Sequence, residues 1–199
     1  MDFLSIKNDE INQETRLSLY DDRYLVLQGE INDDVMNDTV LHILLWNKRD
    51  QDILPEKRVP IKILISSEGG SMFCANNLCD VILASNTPIY GIVFDIAASA
   101  ASSVLIACHK RYGFKNSVVL MHEGKKMVYD SSAKAQQTMD FLAKMDIVDK
   151  QLVIEHTKVT EEQYELDKEK EQYMFADEAK EKGIIDGIIG VDVDLDSIF

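Results

Sequence analysis

The chain has 199 residues, 46% of them hydrophobic, and a formal net charge of −14. That length makes one domain, 1–199, or one domain with a projecting element. So acidic a chain repels a phosphate backbone and an anionic membrane face, which argues against nucleic-acid and membrane partners. No uninterrupted apolar stretch approaches the roughly 18 residues of a membrane span.

The first 16 residues are polar and irregular and are expected to be mobile or to pair with a neighbouring subunit. They lack the basic start and apolar core of a secretory signal. Tyr24 to Gln28 reads as a short strand ended by Gly29. Asn32, Asp33 and Asp34 offer N-caps for a helix to about Asn47, with Val35, Val40, Leu41, Leu44 and Leu45 at roughly helical spacing. After the charged loop Lys48 to Val59, Pro60 leads into the strand Ile61 to Ile65. Ser66-Ser67-Glu68-Gly69-Gly70-Ser71 then turns into a helix from about Ser71 to Ala84.

Pro88 opens the next strand, Ile89 to Phe94. An Ala-rich helix from about Ala98 follows and ends near His109-Lys110-Arg111, where cations suit a helix C-terminus. Ser117 to Met121 reads as a strand with His122 at its end. The longest helical pattern, 131–158, carries an apolar stripe of Met139, Leu142, Met145, Val148, Leu152 and Val153. Such a helix is about 40 Å long, more than a compact domain of this size needs, so part of it is expected to project against a partner. Thr160 to Gln163 fits a capping box. The helix Phe175 to Lys182, the cap Gly183 and a last strand at Ile184-Ile185 complete an α/β alternation. Cys74, Cys79 and Cys108 form no ligand-like cluster and read as reduced core thiols of a cytoplasmic protein. No metal and no cofactor is called for.

Three places carry chemistry. Ser99 stands where a buried strand meets a helix, and there its hydroxyl can sit beside backbone N–H groups that have no intrahelical partner. That suits a nucleophile with an oxyanion site; it equally suits an N-cap or a small residue at a crowded crossing. Gly69-Gly70 can form an anion-binding nest or simply a flexible turn. The sequence there is neither a phosphate loop nor a dinucleotide fingerprint. His122 at a strand end suits a general base or a structural role.

Read together, these stretches resemble the proteolytic subunit of the Clp protease, from about residue 15 to residue 189. Ile65-Ser66-Ser67-Glu68-Gly69-Gly70-Ser71 is similar to the family's Gly-Gly turn. Ala97-Ala98-Ser99-Ala100-Ala101-Ser102 is similar to its nucleophile turn, and Leu120-Met121-His122-Glu123 to its strand-end histidine. Glu171 to Lys180, with Gly183-Ile184-Ile185-Asp186 behind it, is similar to its acidic residue, short helix and ending. The resemblance implies a ClpP/crotonase-like α/β fold with a repeated β-β-α core and a handle helix at 131–158. It implies heptameric rings, usually two stacked through the handles, that cut unfolded polypeptides, with an AAA+ ATPase as partner. Carried over, Ser99 is the nucleophile, His122 the base and Glu171 the acid, with Gly70 and Ala100 supplying oxyanion-hole N–H groups.

The chain departs from that pattern in places. Glu68 replaces a proline, Ala100-Ala101 replaces Met-Gly, and Glu171 replaces Asp. Gly124 to Val128 replaces a glycine-rich strand that binds substrate and helps pair the rings, and Leu64 stands where a tyrosine of the ATPase-docking pocket is frequent. Against the active serine endopeptidase stand two other readings: a non-catalytic ring subunit, which would usually have lost Ser or His, and a crotonase-like acyl-CoA enzyme.

Overall fold

The computed structural model describes residues 15, 17–124 and 128–199. The N-terminal stretch 1–16, apart from Thr15, and Lys125 to Met127 of the replaced glycine-rich segment lie outside the described residues. The elements in chain order are β1 (Tyr24–Ile31), α1 (Asp33–Arg49), β2 (Ile61–Gly70), α2 (Met72–Leu83), β3 (Ile89–Ala98), α3 (Ala100–Ala107), β4 (Lys110–Phe114) and β5 (Val118–Met121). They continue with α4 (Ser132–His156), α5 (Glu161–Asp167), β6 (Gln172–Phe175), α6 (Ala176–Glu181) and β7 (Gly187–Ile189).

The α/β class and the handle follow the sequence. One seven-stranded sheet runs in the order β1-β2-β3-β4-β7, with β5 joined to β3 and β6 to β5. All pairs are parallel except β5–β6. Ile61, Ile63, Ile65, Ile89, Ile92 and Val93 are fully buried, because parallel strands covered on both faces need apolar side chains throughout. Caps fix the helix starts: Asn32 accepts from Val35 N, Ser71 from Cys74 N and Thr160 from Gln163 N.

Several boundaries differ from the sequence reading, and each has a physical reason. β1 runs past Gly29 to Ile31, because a register shift between Gln28 and Glu30 absorbs the glycine. β2 extends through Ser66 to Gly70, and β3 through Asp95 to Ala98, since Ser67 pairs with Ala97 after a similar shift. β3 pairs with β4 only over Tyr90–Val93 and with β5 over Ile96–Ala98. The strand therefore changes neighbours midway, and Phe94 and Asp95 sit exposed at the changeover. The helix after Ser99 begins at Ala100 and ends at Ala107. Lys110 and Arg111 are not its C-terminal cations but the start of β4, and His109 Nδ1 accepts from Ile89 N at 3.0 Å. Burial holds that imidazole below its ordinary pKa. Residues 172–175 form β6, leaving the next helix only Ala176–Glu181, and the last strand is Gly187–Ile189 rather than Ile184-Ile185.

α4 spans 25 residues, about 37 Å, yet Val153 is its one buried residue. Met139, Phe141, Ile147 and Val148 are exposed. Leu64 lies in a small second cluster around Ile92, Ile189 and Ile198. Cys74, Cys79 and Cys108 are free and buried, and burial pushes the Cys108 thiol up to about 12.

The start of β1 is pinned to the end of α1. Arg23, at φ +64, donates to Asp50 Oδ1 from Nη2 at 2.8 Å and to Oδ2 from Nη1 at 2.5 Å. The hydrogen-bonded guanidinium holds the Asp50 carboxyl below its usual range. A carboxylate with a lowered folded pKa contributes stability above its unfolded value, and that contribution is lost as pH falls through the folded value. Asp50→Asn is therefore expected to cost about 2 kcal/mol at neutral pH, measured by urea unfolding. The gap to the parent is expected to narrow once pH falls below the ordinary carboxylate value of about 4, and to close only as pH falls through the lowered folded value.

Candidate active site

Strand β5 sits between the two elements that matter. On one side Ala98 pairs with Leu120, and Ser99 N donates to Leu120 O at 2.9 Å. On the other, Leu120 faces Tyr173 and Met121 faces Gln172. One residue further, antiparallel register sets His122 beside Glu171. Strand register thus brings the Ser99 turn and Glu171 to the two flanks of β5, which ends at His122. His122 Nδ1 lies 3.9 Å from Glu171 Oε1, beyond hydrogen-bond distance. Ser99 and His122 line the same cleft.

Ser99 sits at φ +53, ψ −125, where a non-glycine residue stores about 1–3 kcal/mol. It is not a side-chain N-cap, since its hydroxyl makes no cap hydrogen bond. Its carbonyl instead accepts from Ser102 N at 2.9 Å and Ser102 Oγ at 2.7 Å, which closes the first turn of α3 and leaves the hydroxyl exposed to the cleft. A sharp, strained strand-to-helix turn of this kind is how serine hydrolases mount a nucleophile. The neighbouring Ala100 N–H is the first of α3 and has no i→i−4 partner.

The Gly-Gly stretch reaches this turn from β2. Gly69 is at φ +100, and a Cβ built there would meet Ala98 O at 2.7 Å, Ser99 Cβ at 2.9 Å and Ala100 N at 3.0 Å. Gly70 is at φ +149 beside the β1 backbone. Ile31 O accepts from Ser71 N at 2.8 Å, which ties the end of β2 to β1. Ser67, a residue the sequence did not single out, ties the segment down. Its hydroxyl donates to Gly29 O at 2.5 Å and accepts from Gly69 N at 3.1 Å. Tyr173 was missed as well. Its hydroxyl donates to Glu171 Oε2 at 3.2 Å, and the adjacent carboxylate raises its pKa. Its alternate position in a four-residue strand was the one available signal.

Ser99 and His122 open on a cleft of about 510 Å³ between α2, α3, α4 and α5. Among the described residues no group of three or more His, Cys, Asp or Glu is disposed to hold a metal, and no helix is long and apolar enough to cross a membrane.

Comparison with known proteins agrees with this fold. The family model described as Clp protease matches residues 7–192. The chain is 28% identical over 196 residues to ATP-dependent Clp protease proteolytic subunit 2 of Treponema denticola, covering 94% of this chain and 95% of that one. It is 27% identical over 173 residues to the ATP-dependent Clp protease proteolytic subunit of Ligilactobacillus salivarius, covering 86% and 85%. The fold is similar to that of a ClpP1 point mutant from Listeria monocytogenes, with a TM-score of 0.77 over 92% of this chain and 98% of that one, at 23% identity. The chain belongs to the Clp protease family.

The fit of Gly69 against the Ser99 turn can be tested directly. Gly69→Ala places a methyl against backbone atoms at a left-handed φ, so it is expected to lower stability by about 1–3 kcal/mol. Thermal melting should show the loss. Gly124→Ala, where a Cβ meets nothing within 4 Å, should melt like the parent.

Proposed function

We propose that this chain is a serine endopeptidase that hydrolyses unfolded polypeptides inside a ring-shaped oligomer. The observation that carries the reading is the register of β5, which sets Ser99 on one flank of His122 and Glu171 on the other. His122 Nε2 takes the Ser99 proton as Oγ attacks the scissile carbonyl, then gives it to the leaving amine. The acyl ester on Ser99 is hydrolysed by a water that His122 deprotonates in turn. Glu171 orients the ring through Nδ1 and stabilises the imidazolium that forms. Its 3.9 Å separation shortens as the site tightens around substrate. The N–H groups of Gly70 and Ala100 receive the oxyanion, placed where the Gly-Gly strand and the α3 N-terminus converge.

The assembly part of the proposal rests on α4. Its Met139, Phe141, Ile147 and Val148 expose apolar surface that water does not favour. Seven copies in a ring, singly or as two rings stacked through α4, would cover it. The relatives are ATP-dependent proteases by name, which supports an AAA+ ATPase as the partner that delivers substrate.

A fluorophosphonate should label the assembled protein on Ser99, located by peptide mapping. Ser99→Ala should abolish the label and leave the sedimentation of the oligomer unchanged. A label on Ser102 or Ser103, or no label on a fully assembled protein, would refute the assignment. Glu171→Gln should lower peptide cleavage on the order of 10²–10⁴-fold without changing assembly. Cleavage at the parental rate would make Glu171 a surface carboxylate.

A further inference from the structure

The cleft beside Ser99 ends on a carboxylate. Ser103 lies one helical turn beyond Ser99 on the same face of α3, about 6 Å along the axis. Its hydroxyl donates to Asp149 Oδ1 on α4 at 2.6 Å. Ser99, Ser103 and Asp149 all line the cleft, whose walls include Met72, Phe73 and Leu142. Asp149 is mostly enclosed, and burial raises its carboxyl pKa, with the nearby Asp146 adding to the rise and the Ser103 hydrogen bond opposing it.

Among the described residues the lysines at the cleft do not neutralise Asp149. Lys150 Nζ is bound by Glu161 Oε1 at 2.8 Å and Glu165 Oε1 at 2.6 Å, and Lys168 Nζ by Glu165 Oε2 at 2.7 Å. Among the described residues no lysine or arginine comes within ion-pair distance of Asp149. A ligand that suits this space has an apolar stem about one helical turn long and a cationic head, and lysine and arginine side chains have that form.

We propose that Asp149 is a specificity-determining residue, and that the cleft takes the side chain of a lysine or arginine on the acyl side of the scissile bond. The inference rests on the peptidase reading above. The scissile carbonyl lies at Ser99, and the preceding side chain extends along α3 toward Asp149. A leucine or methionine there would leave the carboxylate buried against hydrocarbon, which is costly.

The test uses the full-length assembled protein and two peptidyl diphenylphosphonates that differ in one residue, Lys or Leu, at the position preceding the phosphorus. A small fluorophosphonate without a side chain serves as control. Ser99 should react about tenfold or more faster with the lysine probe, and Asp149→Asn should remove that preference while the fluorophosphonate rate stays unchanged. If the parent reacts faster with the leucine probe, or if Asp149→Asn leaves the ratio where it was, the inference is wrong although the peptidase reading stands. If the fluorophosphonate leaves Ser99 unmodified, the peptidase reading falls and takes the inference with it. The parent's own ratio decides the matter even if the variant fails to assemble.

Discussion

Strand β2 can lie against the turn at Ser99 because Gly69 has no side chain. A methyl group there would meet three atoms of residues 98–100 at 3.0 Å or less. That close approach brings the Gly70 segment up to the N-terminus of α3, and it braces a serine held at φ +53. Strain of this kind persists only when neighbouring structure over-determines it. Here Ser67 fixes β2, the Leu120 carbonyl fixes Ser99 N, and Ser102 closes the helix turn. The first two contacts lie within the sheet and the third in a buried helix, so the turn is set by the packed core and not by a loop.

The second constraint is the change of neighbour along β3. A strand that paired with β4 to its end would have no room for β5, and His122 would have no place beside Ser99. By releasing β4 after Val93 and taking up β5 at Ile96, β3 delivers its C-terminal end to a different partner. β6 then adds the one antiparallel edge and with it Glu171. The geometry of the candidate site is therefore a property of sheet topology. Family likeness follows the same course: low sequence identity, 23–28%, coexists with a TM-score of 0.77, because register and burial tolerate wide substitution.

Much of this was legible in the residues. Asn32, Ser71 and Thr160 announced their helices, because capping is a local interaction between neighbours in sequence. Ser99 announced its turn by standing between an apolar run and an Ala-rich one. β4 was not legible, since Lys110 and Arg111 carry charge at its exposed edge and its pairing to Tyr90–Val93 is non-local. β6 is four residues long with Tyr173 and Phe175 exposed, so no alternation of buried and exposed residues was long enough to read. The approach of Glu171 to His122 depends on how β5 and β6 align, which spacing along the chain does not determine; only the family resemblance pointed to it. The Ser103–Asp149 contact joins two helices 46 residues apart and had no local signature at all.

The most direct test of the account is the structure of the fluorophosphonate adduct of the assembled protein. It should show phosphorus bonded to Ser99 Oγ, with the phosphonyl oxygen about 2.7–3.1 Å from the backbone nitrogens of Gly70 and Ala100. An adduct oxygen turned to solvent, or phosphorus on any other serine, would contradict it.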